Sequence, residues 1–479
     1  MSADVRALRQ SGREPPLPLR VVTADGPLVI DQWLRVLPGQ RLVGAGEISG
    51  KRVLAKLFIA PRARQHWQRE QQGLVALAKA AIPTPEIIAS GEMAAGGHFL
   101  CTHYMEGART LLQEWDEHAE AVQLSPTACD PGAVALLAQA LSSIALLHRS
   151  GLIQTDLHMG NFLLHEGRLH VIDGDAIKVL NAGQPISAQQ AEDNLAIFFA
   201  QLDAAWDAML ELLLIEYLRV NAERPLNPDR LLGQIKRVRR KRLDAWLAKA
   251  VRDCTHFQVE KHWSRFTAVV RQHATTLESL IAAPDQPFVT APSLKDGGTS
   301  SVTLVEAGGR KLVVKRYNIK GFGHWLSRFW RPSRAWHSWL AGHRLQFQGI
   351  ATPAPLAMIE SRFGPLRRRS WLVNEFCPGR NLLELFGADG QRLPTEEESA
   401  ALLRLLEQLR DARISHGDFK ATNLLWHAGQ VWLIDLDSMQ THDSEPDWQQ
   451  AWTRDRARLV RNWPAGSPLA DWLREHLTR

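Results

Sequence analysis

The stretch Gln154-Thr155-Asp156-Leu157-His158-Met159-Gly160-Asn161-Phe162-Leu163-Leu164, followed by Val171-Ile172-Asp173-Gly174-Asp175, returns later in the chain in altered form. Its second version is His416-Gly417-Asp418-Phe419-Lys420-Ala421-Thr422-Asn423-Leu424-Leu425, followed by Leu433-Ile434-Asp435-Leu436-Asp437. Five residues separate Asp156 from Asn161 and Asp418 from Asn423; seventeen separate Asp156 from Asp173 and Asp418 from Asp435. Two coincident spacings inside matched apolar frames argue for duplication. The repeat extends upstream. Arg52-Val53-Leu54-Ala55-Lys56-Leu57-Phe58 and Lys311-Leu312-Val313-Val314-Lys315-Arg316-Tyr317 are both short β-type runs with an embedded lysine. Each precedes a helical stretch and a turn containing proline, Ile82-Pro83-Thr84-Pro85 or Ile350-Ala351-Thr352-Pro353. The chain reads as two copies of one fold.

Length and composition agree. At 479 residues and 53.7 kDa the chain is too long for one ordinary domain. A hydrophobic fraction of 45% and a charged fraction of 23% exclude wholesale disorder. Cys101, Cys129, Cys254 and Cys377 never approach CxxC spacing. That argues against a zinc ribbon, an iron–sulfur cluster or a disulfide framework, and fits a reducing cytoplasm. Met1 to Pro16 lacks the apolar core of a signal peptide. The richest apolar stretch is read as Met209–Leu218, broken by Glu211 and Glu216, so no membrane span is expected. Residues from about Ala188 to Leu280 read as helices, and Ala282–Pro287 as a linker. The expected division is therefore an extension over 1–19, a first domain over 20–283 and a second over 284–479.

The net charge of +6 is modest, but it is concentrated in Lys236–Arg242 and Lys311–Arg334. The cations are 44 Arg and 13 Lys, a bias that suits bidentate phosphate or carboxylate contacts and equally fits a GC-rich genome. Within Gly321–Arg331, tryptophan and phenylalanine alternate with arginine. This pattern suits peripheral contact with an anionic inner-membrane surface, or packing of an N-lobe insertion on its own domain. No nucleic-acid motif accompanies the basic residues, so nucleic acid is not an expected partner.

Phosphoryl transfer from ATP needs a cation on the α/β-phosphates, hard oxygens for Mg²⁺, and a carboxylate toward the attacking hydroxyl. Lys56 and Lys315 supply the first. Asn161 with Asp173, and Asn423 with Asp435, supply the second. Asp156 and Asp418 are placed for the third. These residues resemble the protein-kinase-like superfamily. More narrowly they resemble the bacterial lipopolysaccharide core kinase family, on the Val53-Leu54-Ala55-Lys56-Leu57-Phe58 strand, the Ile82–Pro85 turn, the Asp156–Asn161 loop and the Ile172-Asp173-Gly174-Asp175 strand end. From about residue 20 onward the resemblance implies an α+β chain of two tandem protein-kinase-like domains. Each would be a small β-rich N-lobe plus a helical C-lobe with nucleotide between. It also implies ATP and Mg²⁺ as cofactors, a heptose or Kdo hydroxyl of the lipopolysaccharide core as acceptor, and action at the cytoplasmic face of the inner membrane.

The copies depart from the family pattern in different places. Glu70 lies fourteen residues after Lys56 and suits the glutamate that pairs with that lysine. Gln154 replaces the histidine two residues before the catalytic aspartate. The second copy keeps His416, but Arg316–Ile359 holds no Asp or Glu, and Ser338 or Trp339 falls where the glutamate belongs. Lys315 is thus expected to lack a partner or to borrow one from elsewhere, such as Glu375. No Phe-Gly follows either metal-type aspartate and no Ala-Pro-Glu is present, which favours small acceptors over proteins. The glycines at 39, 44, 46 and 50, and Gly297-Gly298, make only a degenerate phosphate loop. Lys420 stands where Ser/Thr protein kinases have a lysine on the transferred phosphate, and His158 stands there in the first copy. Asp175 and Asp437 are read as loop caps. Three readings stay open: a core-sugar kinase, a Ser/Thr or Tyr protein kinase, and a scaffold whose second copy is non-catalytic.

Overall fold

The computed structural model describes residues 5–94, 96–122, 130–291, 293–296, 300–318 and 332–477. The expectations placed on Cys129, Gly297-Gly298 and Gly321–Arg331 lie outside the described residues. The chain divides into two units, Met1–Arg239 and Arg240–Arg479.

The first unit opens with a six-stranded antiparallel sheet. In spatial order its strands are Leu19–Thr23, Gly26–Leu37, Arg41–Ile48, Lys51–Phe58, His98–His103 and Ile87–Glu92. Alternation along the fourth strand turns Val53, Ala55 and Leu57 into the core and leaves Lys56 on the opposite face. The described part of the expected extension, 5–19, belongs to this lobe, because the helix Val5–Gln10 puts Val5 and Leu8 into the same core as Leu28 and Leu57. Below the sheet, Asp130 caps the helix Pro131–Arg149, accepting the Gly132 N–H at 2.9 Å. This helix, not Met209–Leu218, is long and apolar enough by length and composition to cross a membrane; half of it is buried inside the protein. Leu137, Ala140, Leu141 and Ile144 form the centre of the helical lobe's core.

The second unit repeats the plan on a seven-stranded sheet. Its spatial order is Phe257–Lys261, Arg265–Val270, Pro355–Phe363, Leu366–Glu375, Arg310–Tyr317, Ser300–Ala307 and Ser293–Asp296. The five strands from Pro355–Phe363 to Ser293–Asp296 match five of the first sheet, with the lysine strand again third from one edge. The other two correct the sequence reading: 257–270 is a hairpin, not helix. It pairs with the second sheet, Thr267 opposite Ile359, so the expected boundary at 283/284 moves to 239/240. Arg265–Val270 is buried on both faces, Phe266 and Ala268 against Trp339, Val269 against Leu312 and Val373. Such a continuous apolar run is not distinguished from helix by periodicity. After Asp437 the chain forms two helices, Glu445–Val460 and Pro468–Leu477, packed with Glu396–Asp411 around Leu405, Leu459 and Leu473.

Candidate active site

In the first unit Lys56 Nζ donates to Glu70 Oε1 at 2.5 Å and stands 3.6 Å from Asp173 Oδ1. Glu70 rides on the helix Ala63–Lys79 and is wholly buried. Its carboxylate also accepts the backbone N–H groups of Gly174 at 3.1 Å and Asp175 at 3.2 Å, tying the helix to the loop after Asp173. The contact is tight enough to require glycine on both sides. A Cβ on Gly73 would sit 2.0 Å from the Gly174 carbonyl oxygen, and one on Gly174 would sit 2.1 Å from that of Glu70. Gly73→Ala is therefore expected to cost about 1–3 kcal/mol, read as a lower Tm together with weaker ATP binding. Asp175 is no loop cap: it faces Arg69 at 2.7 Å and His66 at 3.1 Å on the same helix.

The Asp156 loop is held from behind. Asn161 Nδ2 donates to the Asp156 carbonyl at 2.8 Å, which leaves its amide oxygen to face a cation. Gln154 Nε2 donates to the Ile172 carbonyl at 2.8 Å. Asp173 adopts a left-handed backbone, φ 68°, a conformation that costs a residue with a side chain about 1–3 kcal/mol and clusters at functional sites. A buried relay anchors the loop further: Asn194 Nδ2 donates to Gln154 O at 2.8 Å, and Asn194 Oδ1 takes His148 Nε2 at 3.0 Å. On the other side of the ring, His148 Nδ1 faces the Tyr217 hydroxyl at 3.0 Å. Burial pushes the His148 imidazole down to about 4, the Asn194 hydrogen bond opposing only in part. Because the folded value lies below the ordinary one, this neutral histidine contributes its full share of stability above about pH 6.5 and loses it as pH falls toward 4, a span of about 3 kcal/mol. The thermal midpoint of the first unit is expected to fall over that window, and His148→Gln should flatten the fall.

The second unit holds the same atoms in the same order. Asn423 Nδ2 donates to Asp418 O at 2.9 Å, and His416 Nε2 to Ile434 O at 2.9 Å, so Gln154 and His416 do one job in two chemistries. Asp435 repeats the left-handed backbone, φ 61°. Asp455, which sequence reasoning missed, comes from the helix Glu445–Val460 and accepts the backbone N–H groups of His416 at 2.6 Å and Gly417 at 3.1 Å. Only its place in a helical turn that packs beneath the loop marks it.

Asp418 differs from Asp156. Arg458 Nη1 lies 2.7 Å from Asp418 Oδ1 and Lys420 Nζ 2.9 Å from Oδ2. Burial works to raise the Asp418 carboxyl, but the hydrogen bonds and charges of Lys420 and Arg458 outweigh it and hold the group below the usual carboxylate range. In the first unit the Asp156 side chain is 68% exposed, with His158 Nε2 3.5 Å away.

Lys315 has its carboxylate after all, from an unexpected place. Its Nζ stands 2.5 Å from Asp435 Oδ1 and 2.8 Å from Asp437 Oδ2. Asp437 Oδ1 accepts the Tyr317 hydroxyl at 2.6 Å and the Ser338 hydroxyl at 2.8 Å. Burial tends to raise the Asp437 carboxyl, yet the charge and hydrogen bond of Lys315 prevail and keep it low. The loop-cap reading of Asp437 is thus corrected. So is the suggestion of Glu375, which pairs with Arg310 at 3.2 Å. Sheet register explains why: Lys315 lies opposite Leu372, three residues from Glu375 and so about 10 Å along the strand. Ser338 occupies the helical position that Glu70 holds in the first unit, and the carboxylate has moved to the loop.

Among the described residues no group of three or more His, Cys, Asp or Glu side chains is arranged to hold a metal ion. Each unit offers one carboxylate and one amide oxygen instead, Asp173 with Asn161 and Asp435 with Asn423. Such a sparse oxygen set suits Mg²⁺, whose shell phosphates and water complete. Two cavities of the second unit, about 590 and about 500 Å³, are lined by none of these residues.

An α+β fold with a strand lysine clamped by a carboxylate over an Asp-x4-Asn loop defines a phosphotransferase of the kinase class. Residues 284–474 match the model of the Lipopolysaccharide kinase (Kdo/WaaP) family, which bears out the resemblance to that family. Comparison with curated proteins gives no match. Similar solved structures include WaaP in complex with acyl carrier protein, at 22% identity over 44% of this chain and 88% of that chain, TM-score 0.34. Another is the PknI kinase domain of Mycobacterium tuberculosis, at 17% identity over 43% and 77%, TM-score 0.26. A third is vaccinia related kinase 3, at 11% identity over 49% and 87%, TM-score 0.28.

Proposed function

We propose that the protein moves the γ-phosphoryl group of ATP onto a hydroxyl of a lipopolysaccharide core sugar, heptose or Kdo, and that the second unit does so through Asp418. The observation that carries this reading is the intact Lys315–Asp437 clamp beside Asp418 and Asn423, all within the segment that matches the lipopolysaccharide kinase family. Lys315, fixed by Asp437, holds the α/β-phosphates; Lys56, fixed by Glu70, does so in the first unit. Asn423 with Asp435, and Asn161 with Asp173, would hold Mg²⁺, which supplies neutralising charge at the phosphates. The sugar oxygen forms its bond to the γ-phosphorus as the bridge to the β-phosphate breaks and ADP departs. Asp418 takes the hydroxyl proton, kept ionised for that task by Arg458 and Lys420. Lys420 faces the transferred group.

The first unit is read as a second transfer site with Asp156 as base and a different hydroxyl as acceptor. His158 in place of Lys420, and the exposed Asp156 carboxylate, support a different surrounding for its acceptor. Both sites would work at the cytoplasmic face of the inner membrane, where a lipid-linked core is built. His416 and Lys420 keep protein substrates as the rival reading.

The test is the mass of the lipopolysaccharide core from the native host with and without the gene, complemented by Asp156→Asn and by Asp418→Asn. Deletion should remove phosphate, and each variant should restore all but one phosphate. An unchanged core mass on deletion would overturn the sugar-kinase reading in favour of protein substrates.

A further inference from the structure

We propose that the two adjacent hairpin tips of the second unit's sheet form a docking surface for an anionic lipid bilayer. Trp263 stands in the turn between Phe257–Lys261 and Arg265–Val270, and Phe363 begins the turn into Leu366–Glu375. The inner strands of the two hairpins are hydrogen-bonded neighbours, Arg265 opposite Ser361, so the tips lie side by side. Their rings meet edge to face with centroids 5.9 Å apart. The Gly364 N–H donates to Trp263 O at 2.9 Å, and the Arg362 N–H to Ser264 O at 2.8 Å. The indole lies so close over Gly364 that a Cβ there would be 2.8 Å from it, and φ is +58°.

This pair is rigidly built, yet Trp263 is 68% and Phe363 61% exposed. Leaving two large rings in water forfeits the burial that stabilises such side chains elsewhere in the chain. What surrounds them is cationic. Lys261 and His262 are exposed on one turn, and Arg368 and Arg369 on the other hairpin. Beneath them Arg362 and Arg367 are partly buried, set against the buried Glu360 at 2.5 and 3.7 Å, with Arg362 stacked over Phe266 and Arg367 over Trp336. The acids alongside are Glu260, Glu360 and Asp285, the last 3.6 Å from Arg369, against five Lys and Arg side chains. Aromatic rings at headgroup depth ringed by cations complement a surface of phosphates over hydrocarbon. A bilayer sets no demand on the shape of the surface that meets it.

The test uses the full-length protein and sedimentation with vesicles of phosphatidylcholine alone or mixed with phosphatidylglycerol. Binding should require the anionic lipid and weaken with salt. Trp263→Ser with Phe363→Ser should lower partitioning about tenfold or more, and Arg368→Glu with Arg369→Glu should lower it on anionic vesicles by a similar factor. Equal Tm values for the variants and wild type would exclude misfolding as the cause. Vesicle binding unchanged in the aromatic variant, or no wild-type preference for anionic vesicles, would overturn the proposal. So would a wild-type dimer in light scattering that the aromatic variant abolishes, since the tips would then cover each other. The readout is binding rather than transfer, so its failure and that of the sugar-kinase reading are separable.

Discussion

Asp418→Asn is expected to lower kcat for phosphate transfer to the acceptor by about 10²–10⁴-fold, the range that general-base catalysis contributes, with the KM for ATP nearly unchanged. An asparagine there keeps the shape of the side chain and an oxygen for Lys420 or Arg458, but cannot accept the hydroxyl proton. Arg458 and Lys420, now 2.7 and 2.9 Å from the carboxylate, would face a neutral amide. Both are partly exposed and can turn to water, so the fold should survive. The measurement is steady-state transfer from ATP to purified core oligosaccharide, with Asp156→Asn in the background to silence the first site. A large rise in the KM for ATP with kcat preserved would show that Asp418 serves nucleotide binding instead.

Asp437→Ala is the second large effect. It leaves Lys315 with Asp435 alone and removes the acceptor of both the Tyr317 and Ser338 hydroxyls. Deleting one partner of a buried pair typically costs about 3–5 kcal/mol of stability; this pair is partly buried and Asp435 still faces Lys315, so ATP affinity at this site should fall by about tenfold or more. Calorimetric titration with ATP should then see one site, against the two expected of the wild type. Adding Ser338→Glu to Asp437→Ala returns a carboxylate to the helix, as Glu70 does in the first unit, and should recover part of the lost affinity. Glu70→Ala is the matching experiment on Lys56 and should delete the other site. If Asp437→Ala still binds two nucleotides with wild-type affinity, the clamp lies elsewhere.

Much of the site was legible because its residues are close in sequence. The five-residue and seventeen-residue intervals place Asp156, Asn161 and Asp173, and their counterparts, within one loop and the hairpin that follows it. Lys56 and Glu70 were legible for a similar reason, a strand followed at once by a helix. The Lys315 partner was not, since Asp437 lies 122 residues away and meets it only when the sheet closes over the loop. A separation of 39 residues likewise hid Asp455, one of three acidic residues on the helix Glu445–Val460 until its burial under His416 singles it out. The misplaced boundary has another cause. Around Phe257–Val270, flanking arginines and lysines lend the stretch the look of a basic helix, while the pairing that makes it sheet lies with Pro355–Phe363.

The travelling carboxylate has a consequence for control. Where the lysine's partner sits on a helix, as Glu70 does, a rotation of that helix breaks the ion pair and silences the site, a common device for switching between active and resting states. In the second unit the partner sits two residues beyond Asp435 on the same loop, so the lysine clamp and the cation ligand form one piece. Displacing the helix Arg334–Phe347 would cost Asp437 the hydroxyl of Ser338 and none of its charge pairing. The same helix rotation would open the lysine clamp of the first unit and leave that of the second closed.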